Sequence, residues 1–184
     1  MSTPLRSARL ILRPWRDEDF DALAGLCSDP EVMAHFPAPL DRTGSEALLR
    51  RLQEHQDEHG FTFWYLQRQV DAAFVGFAGL ARVGFAAHFT PAVEIGWRLA
   101  LPYWGQGYAR EAAQRALRFA FEELDVDQVV AFTTLANQRS WGLMERLGMR
   151  RDGVFEHPRL PPGHPLRLHL LYRIGRDEGL LRLG

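Results

Sequence analysis

Residues 103–112 read YWGQGYAREA, with Gly105 and Gly107 on either side of Gln106 and a helical pattern starting at once. Glycine beside a helix is costly unless the backbone needs a conformation or a close approach that a side chain would block. The free N–H groups of a first helical turn, behind so bare a loop, form an anion site suited to phosphate or pyrophosphate. A plain tight turn between strand and helix is the other reading. Cys27, the only cysteine, lies near the end of a predicted helix. The negative end of the helix dipole opposes a thiolate there, so a packed thiol is expected and not a nucleophile. His157, His164 and His169 lie in EHPRLPPGHPLRLHLLYRI, at spacings that match no common zinc site, and no metal is expected. That segment reads as a proline-rigid loop entering the last strand, with a substrate wall as its other possible role.

The elements that must position these residues follow from periodicity. RLILRPW (9–15) alternates as a strand, and Pro14 suits an edge. DEDFDALAGLC (17–27) carries Phe20, Leu23 and Leu26 at helical spacing. SDPEVM (28–33) reads as a helix start, with Ser28 or Asp29 as cap and Pro30 first. Thr43-Gly44-Ser45-Glu46 reads as a capping box opening a helix to about His59, stopped by Gly60. Strands are expected at 61–67, at 73–85 with bends at its glycines, and at 93–101. Ala109, Ala112, Ala113, Ala116, Leu117, Ala120, Phe121 and Leu124 then make one apolar stripe, so a helix follows the glycine turn. QVVAFTTL (128–135) reads as a strand buried on both faces. A short helix is expected over Gln138–Leu147, ending at Gly148, and further strands at 149–155 and 166–174. This order predicts an α/β (mixed α+β) fold with strand–helix–strand units in its second half. No linker or repeat divides the chain, so one domain over residues 1–184 is expected.

Composition excludes several functions. The net charge of −1 argues against a nucleic-acid grip. All 22 basic residues are arginine, so lysine chemistry and a Walker-type phosphate site are ruled out. MSTPLRSARLILRP has no apolar run long enough for a signal peptide, and no later stretch approaches a membrane span. The single cysteine fits a reducing compartment. A cytoplasmic protein with no membrane partner, monomer or homodimer, is expected.

Among phosphate binders, a dinucleotide fold needs G-x-G-x-x-G/A. Here Arg110 takes the third small position, and the strand at 128–135 runs into Leu135-Ala136-Asn137 with no acid for a ribose hydroxyl. A coenzyme A pyrophosphate is the remaining option. The chain resembles the GNAT acetyltransferases, in the branch of ribosomal-protein alanine N-acetyltransferases. The resemblance runs through RLILRPWRDEDFDAL, SDPEVM, EIGWRLALPYWGQGYAREA and ANQRSWGLMERLGM. The family's Q/R-x-x-G-x-G/A signature falls on Trp104-Gly105-Gln106-Gly107-Tyr108-Ala109, with Trp104 replacing the usual first residue. The resemblance implies a bent mixed sheet flanked by helices, whose central parallel strands, 93–101 and 128–135, splay around the cofactor. It implies acetyl-CoA as cosubstrate, held at 105–110, with the backbone of Trp97, Arg98 and Leu99 pairing with the pantetheine amides. Asn137 would contact the pantetheine arm, and Ser140 would hydrogen-bond the departing sulfur. Trp141 stands where relatives often carry a basic residue, leaving Arg110 and Arg139 as local substitutes.

Transfer from a thioester to an amine needs a neutral amine, a polarised carbonyl and a received thiolate. Alternation sets Glu94 opposite Val93 and Ile95, where it can act as base if burial raises its pKa. A solvated carboxylate is the other reading of Glu94, and a plain helix N-cap the other reading of Asn137. Trp15, Phe36, Trp64, Phe85 and Phe89 are candidates to line an acceptor pocket or to fill the core. The acceptor itself, a peptide α-amine or a small amine, stays open, and a non-catalytic acyl-CoA sensor is the rival function.

Overall fold

The structure, a computed structural model, describes residues 4–183; the part of the N-terminal reading that falls on residues 1–3 lies outside them. The elements are β1 (Leu5–Arg6), β2 (Leu10–Arg13), α1 (Phe20–Ser28), α2 (Arg42–His59), β3 (Phe63–Arg68), β4 (Phe74–Arg82), β5 (Val93–Leu99), α3 (Tyr108–Glu122), β6 (Gln128–Thr134), α4 (Gln138–Arg146), β7 (Arg150–Glu156), β8 (Leu168–Gly175) and α5 (Arg176–Leu183). The strands form a mixed sheet in the order β1-β2-β3-β4-β5-β6-β8-β7, as expected of an α/β chain. Residues cluster into two compact units: Met1–Ala81 with Gly96–Arg115, and Arg82–Ile95 with Ala116–Gly184. β5 and α3 each contribute residues to both.

In the first unit β1, β2, β3 and β4 pair antiparallel in chain order. Trp15, Leu23, Leu26, Cys27, Leu49, Leu52, Tyr65 and Phe77 form its core, so Cys27 is a buried thiol as read from the sequence. Asp19 is buried because Arg13 grips both its carboxylate oxygens at 2.7 Å, a fork that satisfies the charge. Two expectations fail here. SDPEVM opens no helix: Ser28 ends α1, residues 30–33 make turns, and Asp29 Oδ1 accepts the N–H groups of Glu31 and Val32 like a cap. Pro37 and Pro39 follow too closely for the turn to propagate. α2 is capped by Asp41, whose carboxylate accepts the Gly44 N–H at 2.7 Å, and the helix starts one residue before Thr43. Aspartate two residues upstream wins the cap position from the Thr43–Glu46 box. Gly60 ends the helix as expected.

In the second unit β5 and β6 run parallel, with Glu94 opposite Val130. β8 pairs antiparallel with both β6 and β7. β6 buries Val129, Val130, Ala131, Thr133 and Thr134, in line with a strand covered on both faces. Ala116, Leu117, Ala120 and Phe121 of the α3 stripe are buried. α5 is an element the sequence reading did not foresee.

Candidate functional site

In the first unit the glycine turn has the backbone that its residue types demand. Gly105 and Gly107 have φ of +72° and +82°, the left-handed region that other residues enter at a cost. A Cβ at Gly105 would meet nothing within 4 Å, so the loop presents open backbone. The first helical bond runs from Glu111 N–H to the Gly107 carbonyl, which leaves the N–H groups of Tyr108, Ala109 and Arg110 at the free end of α3. The Gln106 side chain turns away to the Pro102 carbonyl at 2.6 Å, so any cradle here is built from main chain.

Arg9 holds the turn, and sequence reasoning missed it. Its Nε donates to Glu111 Oε2 at 2.6 Å and its Nη1 to the Gln106 carbonyl at 3.0 Å, while its guanidinium lies 4.3 Å from the Tyr108 ring centroid. Glu111 also accepts the Ser7 hydroxyl at 2.7 Å and the Arg9 backbone N–H at 2.6 Å. Burial pushes the Glu111 carboxyl up, but these donors outweigh it and hold the group below its ordinary value. No local pattern signals the role, because the partners lie 102 residues apart.

β5 brings Trp97, Arg98 and Leu99 beside this turn within the same unit. The Leu99 carbonyl accepts the Trp104 indole N–H at 2.7 Å, so Trp104 braces the strand end where the signature usually has Gln or Arg. The Arg98 side chain runs into the core, its Nη1 3.2 Å from Cys27 Sγ and its guanidinium 4.1 Å from the Phe36 ring centroid. Only the main chain of Arg98 is left to meet a ligand on the strand. Burial pushes the Cys27 thiol up against the pull of Arg98, which keeps it protonated.

In the second unit Glu94 is half-buried, and no described residue donates a hydrogen bond to its carboxyl. Burial pushes its pKa up from 4.5 to about 8, opposed by the positive charge of Arg159. That is the shift a glutamate needs to take a proton from an amine near neutral pH. β6 runs on from Val130, opposite Glu94, to the turn that carries Asn137. Asn137 caps α4: its Oδ1 accepts the Ser140 N–H at 3.3 Å and its Nδ2 donates to Thr133 Oγ1 at 2.9 Å. The capping reading of Asn137 is therefore realised, with a long first bond. The Ser140 hydroxyl makes no hydrogen bond to a described residue. Arg110 and Arg139 are exposed.

Of the candidate aromatics, Trp15, Trp64 and Phe89 are buried core, while Phe85 is half-buried and Phe36 exposed. Sequence reasoning did not single out Phe132 and Phe155, which join Phe85 and Phe89 in one cluster. His157 and His169 pack on that cluster, 5.0 Å apart between ring centroids. His164 caps a turn instead, accepting the Leu166 N–H.

A family model for the GNAT acetyltransferase domain matches residues 9–150. The chain is similar to the FsC-acetyl coenzyme A-N(2)-transacetylase of Aspergillus fumigatus, 32% identical over 189 aligned positions that cover 96% of this chain and 77% of that protein. A solved GNAT-family acetyltransferase from Bacillus anthracis superposes with a TM-score of 0.79 at 24% identity, covering 96% of this chain and all of that one. A spermidine N-acetyltransferase from Vibrio cholerae, solved with CoA and spermine, superposes with a TM-score of 0.75 at 18% identity, over 94% and 99% of the two chains. The two solved structures share the fold.

Proposed function

We propose, from the premise that the chain belongs to the GNAT acetyltransferase family and is an acetyl-CoA-dependent acyltransferase, that it acetylates a primary amine by direct attack in a ternary complex. Glu94 carries this reading: it is a carboxyl with no hydrogen-bond donor among the described residues, brought by burial to the basicity the reaction needs.

In this reading the N–H groups at 107–110 hold the pyrophosphate of acetyl-CoA, and the main chain of Trp97–Leu99 aligns its pantetheine arm. The open backbone at Gly105 and the Arg9 brace behind Gly107 fit that occupant. The bound cosubstrate supplies a thioester whose thiol is a good leaving group. Glu94 takes the amine proton, directly or through water. Ser140, with its hydroxyl unengaged, donates to the departing sulfur, and Asn137 fixes the start of α4 and the pantetheine arm. Cys27 takes no part. The whole chain, residues 1–184, serves as one acetyltransferase domain in the cytoplasm, and the ribosomal-protein alanine branch makes a peptide α-amine one acceptor to test.

A non-catalytic acyl-CoA sensor would keep the same turn but would not need a carboxyl tuned to about 8. Thiol release from acetyl-CoA against a panel of amines separates the two. Acetylation of at least one amine, slowed roughly 100-fold or more in Glu94→Gln with acetyl-CoA still bound, is the expected result. Tight binding of acetyl-CoA with no transfer to any amine would leave the sensor. Submillimolar NADH binding with none for acetyl-CoA would remove both.

A further inference from the structure

The second unit carries a surface that narrows the acceptor. Its strand register sets Thr134 and Phe155 each opposite His169, and Phe132 opposite Leu171. Side chains alternate along a strand, so Val130, Phe132, His169, Phe155 and His157 share one face. The pairing of Glu94 with Val130 sets the Glu94 carboxyl on that face as well. Phe85 folds onto it, 5.7 Å from Phe132 and 4.6 Å from His157 between ring centroids. Phe155 and Phe89 are buried, whereas Phe85, Phe132, His157 and His169 are half-buried.

On this face Arg173, opposite Val130, is already paired with Asp152, which leaves Glu94 and Arg159 as the charges without an ion-pair partner among the described residues. Burial holds both imidazoles below their ordinary value, His157 at about 4, so both are neutral at pH 7. Arg159 donates from Nη2 to the Gly84 carbonyl at 2.8 Å and stands 5.8 Å from the Phe85 ring centroid. It makes no ion pair with any described residue. It is also the cation whose field reaches Glu94 and His157. A polyamine would find one carboxyl here, and the Arg159 charge would repel its remaining ammonium groups. An exposed guanidinium that is in no ion pair, beside flat rings, instead matches an anion attached to an aromatic body.

We propose that the acceptor is a primary amine carrying an aromatic ring and a carboxylate, the chemistry of an aromatic α-amino acid. The ring lies on Phe85, Phe132, His157 and His169, the carboxylate meets Arg159, and the amine faces Glu94. This rests on the acetyltransferase reading above. In the transfer the amine nitrogen bonds to the acetyl carbon and the carbon–sulfur bond breaks. The sulfur leaves with the electron pair as the CoA thiolate, Glu94 takes the proton lost by nitrogen, and that proton then passes through solvent to the sulfur, giving CoA thiol and restoring the Glu94 carboxylate.

The test measures thiol release at saturating acetyl-CoA with L-phenylalanine, L-phenylalaninamide, L-alanine, spermine and an alanine-initiated peptide. L-phenylalanine should show the highest kcat/KM, at least tenfold above the others. Arg159→Ala should raise KM for L-phenylalanine at least tenfold and leave L-phenylalaninamide within about twofold, because the amide has no carboxylate for Arg159 to hold. Phe85→Ala should raise KM for both. Calorimetry with L-phenylalanine in the presence of CoA, which has no acetyl group to give, should show binding that Arg159→Ala weakens by the same factor. Both side chains lie at the surface of their cluster, and an unchanged melting temperature and acetyl-CoA affinity confirm that each variant folds. Preference for spermine, alanine or the peptide overturns this inference and leaves the acetyltransferase reading standing. Equal rates for L-phenylalanine and its amide overturn the role of Arg159. Bound acetyl-CoA with no amine acetylated overturns both readings.

Discussion

Glu94 stands opposite Val130 across the parallel pair of β5 and β6, and Val130 is fully buried. A carboxyl beside a sealed valine loses hydration in its charged form, the physical cause of its pKa near 8. The base form therefore dominates only above that pH. At saturating substrates kcat should rise about tenfold per pH unit below 8 and level off above it. Glu94→Gln should remove the rise and lower kcat roughly 100- to 10,000-fold. A flat profile in the native enzyme would withdraw Glu94 as base.

The same shift has a stability counterpart with a definite sign. Folding favours the protonated Glu94, because its folded pKa of about 8 lies above the ordinary 4.5. Stability from this group is full below about 4.5 and falls as pH rises toward 8. Glu94→Gln, which cannot ionise, should melt at increasingly higher temperature than the native chain as pH goes from 5 to 8. A melting difference independent of pH would contradict the buried carboxyl.

Gly107→Val should weaken acetyl-CoA binding at least tenfold. A β-branched residue is strained at φ +82°, and its Cβ would lie 3.4 Å from Arg9 Nη2. Loss of two charge-assisted hydrogen bonds, each worth about 1.5–3 kcal/mol, accounts for the factor. Calorimetry reads it. Gly105→Ala, where a Cβ meets nothing, is the milder variant if valine prevents folding. Native affinity in folded Gly107→Val would show that the turn holds no phosphate.

Arg9→Ala should raise the acetyl-CoA dissociation constant by about threefold to tenfold with kcat nearly unchanged, since two supports of the turn at about 1 kcal/mol each are lost and Arg9 is 45% exposed. Glu111→Gln should act in the same direction. The Glu111 pKa is lowered by its donors, so its contribution is present above the ordinary value and lost as pH falls through the folded one. A change in kcat alone would place Arg9 elsewhere in the mechanism.

Asn137 and Ser140 separate cap from catalyst. Asn137→Ala should cost about 1 kcal/mol through the lost cap. If Asn137 also holds pantetheine, acetyl-CoA affinity falls while CoA fragments lacking that arm bind as before. Ser140→Ala keeps the backbone N–H that the cap uses. It should lose turnover roughly 10- to 100-fold and keep cofactor binding, as for a contact made mainly in the transition state. Full activity in this variant would remove Ser140.

What was legible in the sequence was local. The α3 stripe, the Gly60 and Gly148 stops and the glycine turn depend on neighbours within a few residues, and each stands in the structure. The SDPEVM helix failed because its cap was read without the prolines that forbid propagation. α5 was missed because Gly179 interrupts a short, weakly periodic segment. That glycine is there for packing: a Cβ would come within 2.3 Å of the Phe121 ring. Arg9 was invisible for a further reason, since nothing near it in sequence names Glu111 as partner. The aromatic face was only half legible, because Phe132, Phe155 and His169 meet through strand register that periodicity does not supply.

The Arg9–Glu111 link spans 102 residues of chain, and this bears on how the protein is made. A ribosome adding residues at roughly 5–20 per second leaves Arg9 without its partner for roughly 5–20 s. During that interval β1 to β4 can pair in order, each with the strand just synthesised, but β2 cannot fix the turn after β5. A nascent chain stopped before Glu111 would thus hold a folded antiparallel meander and an unbraced loop. Arg9, just before the four-residue β2, and Arg13, its last residue, give that waiting strand a charged border against pairing with other chains.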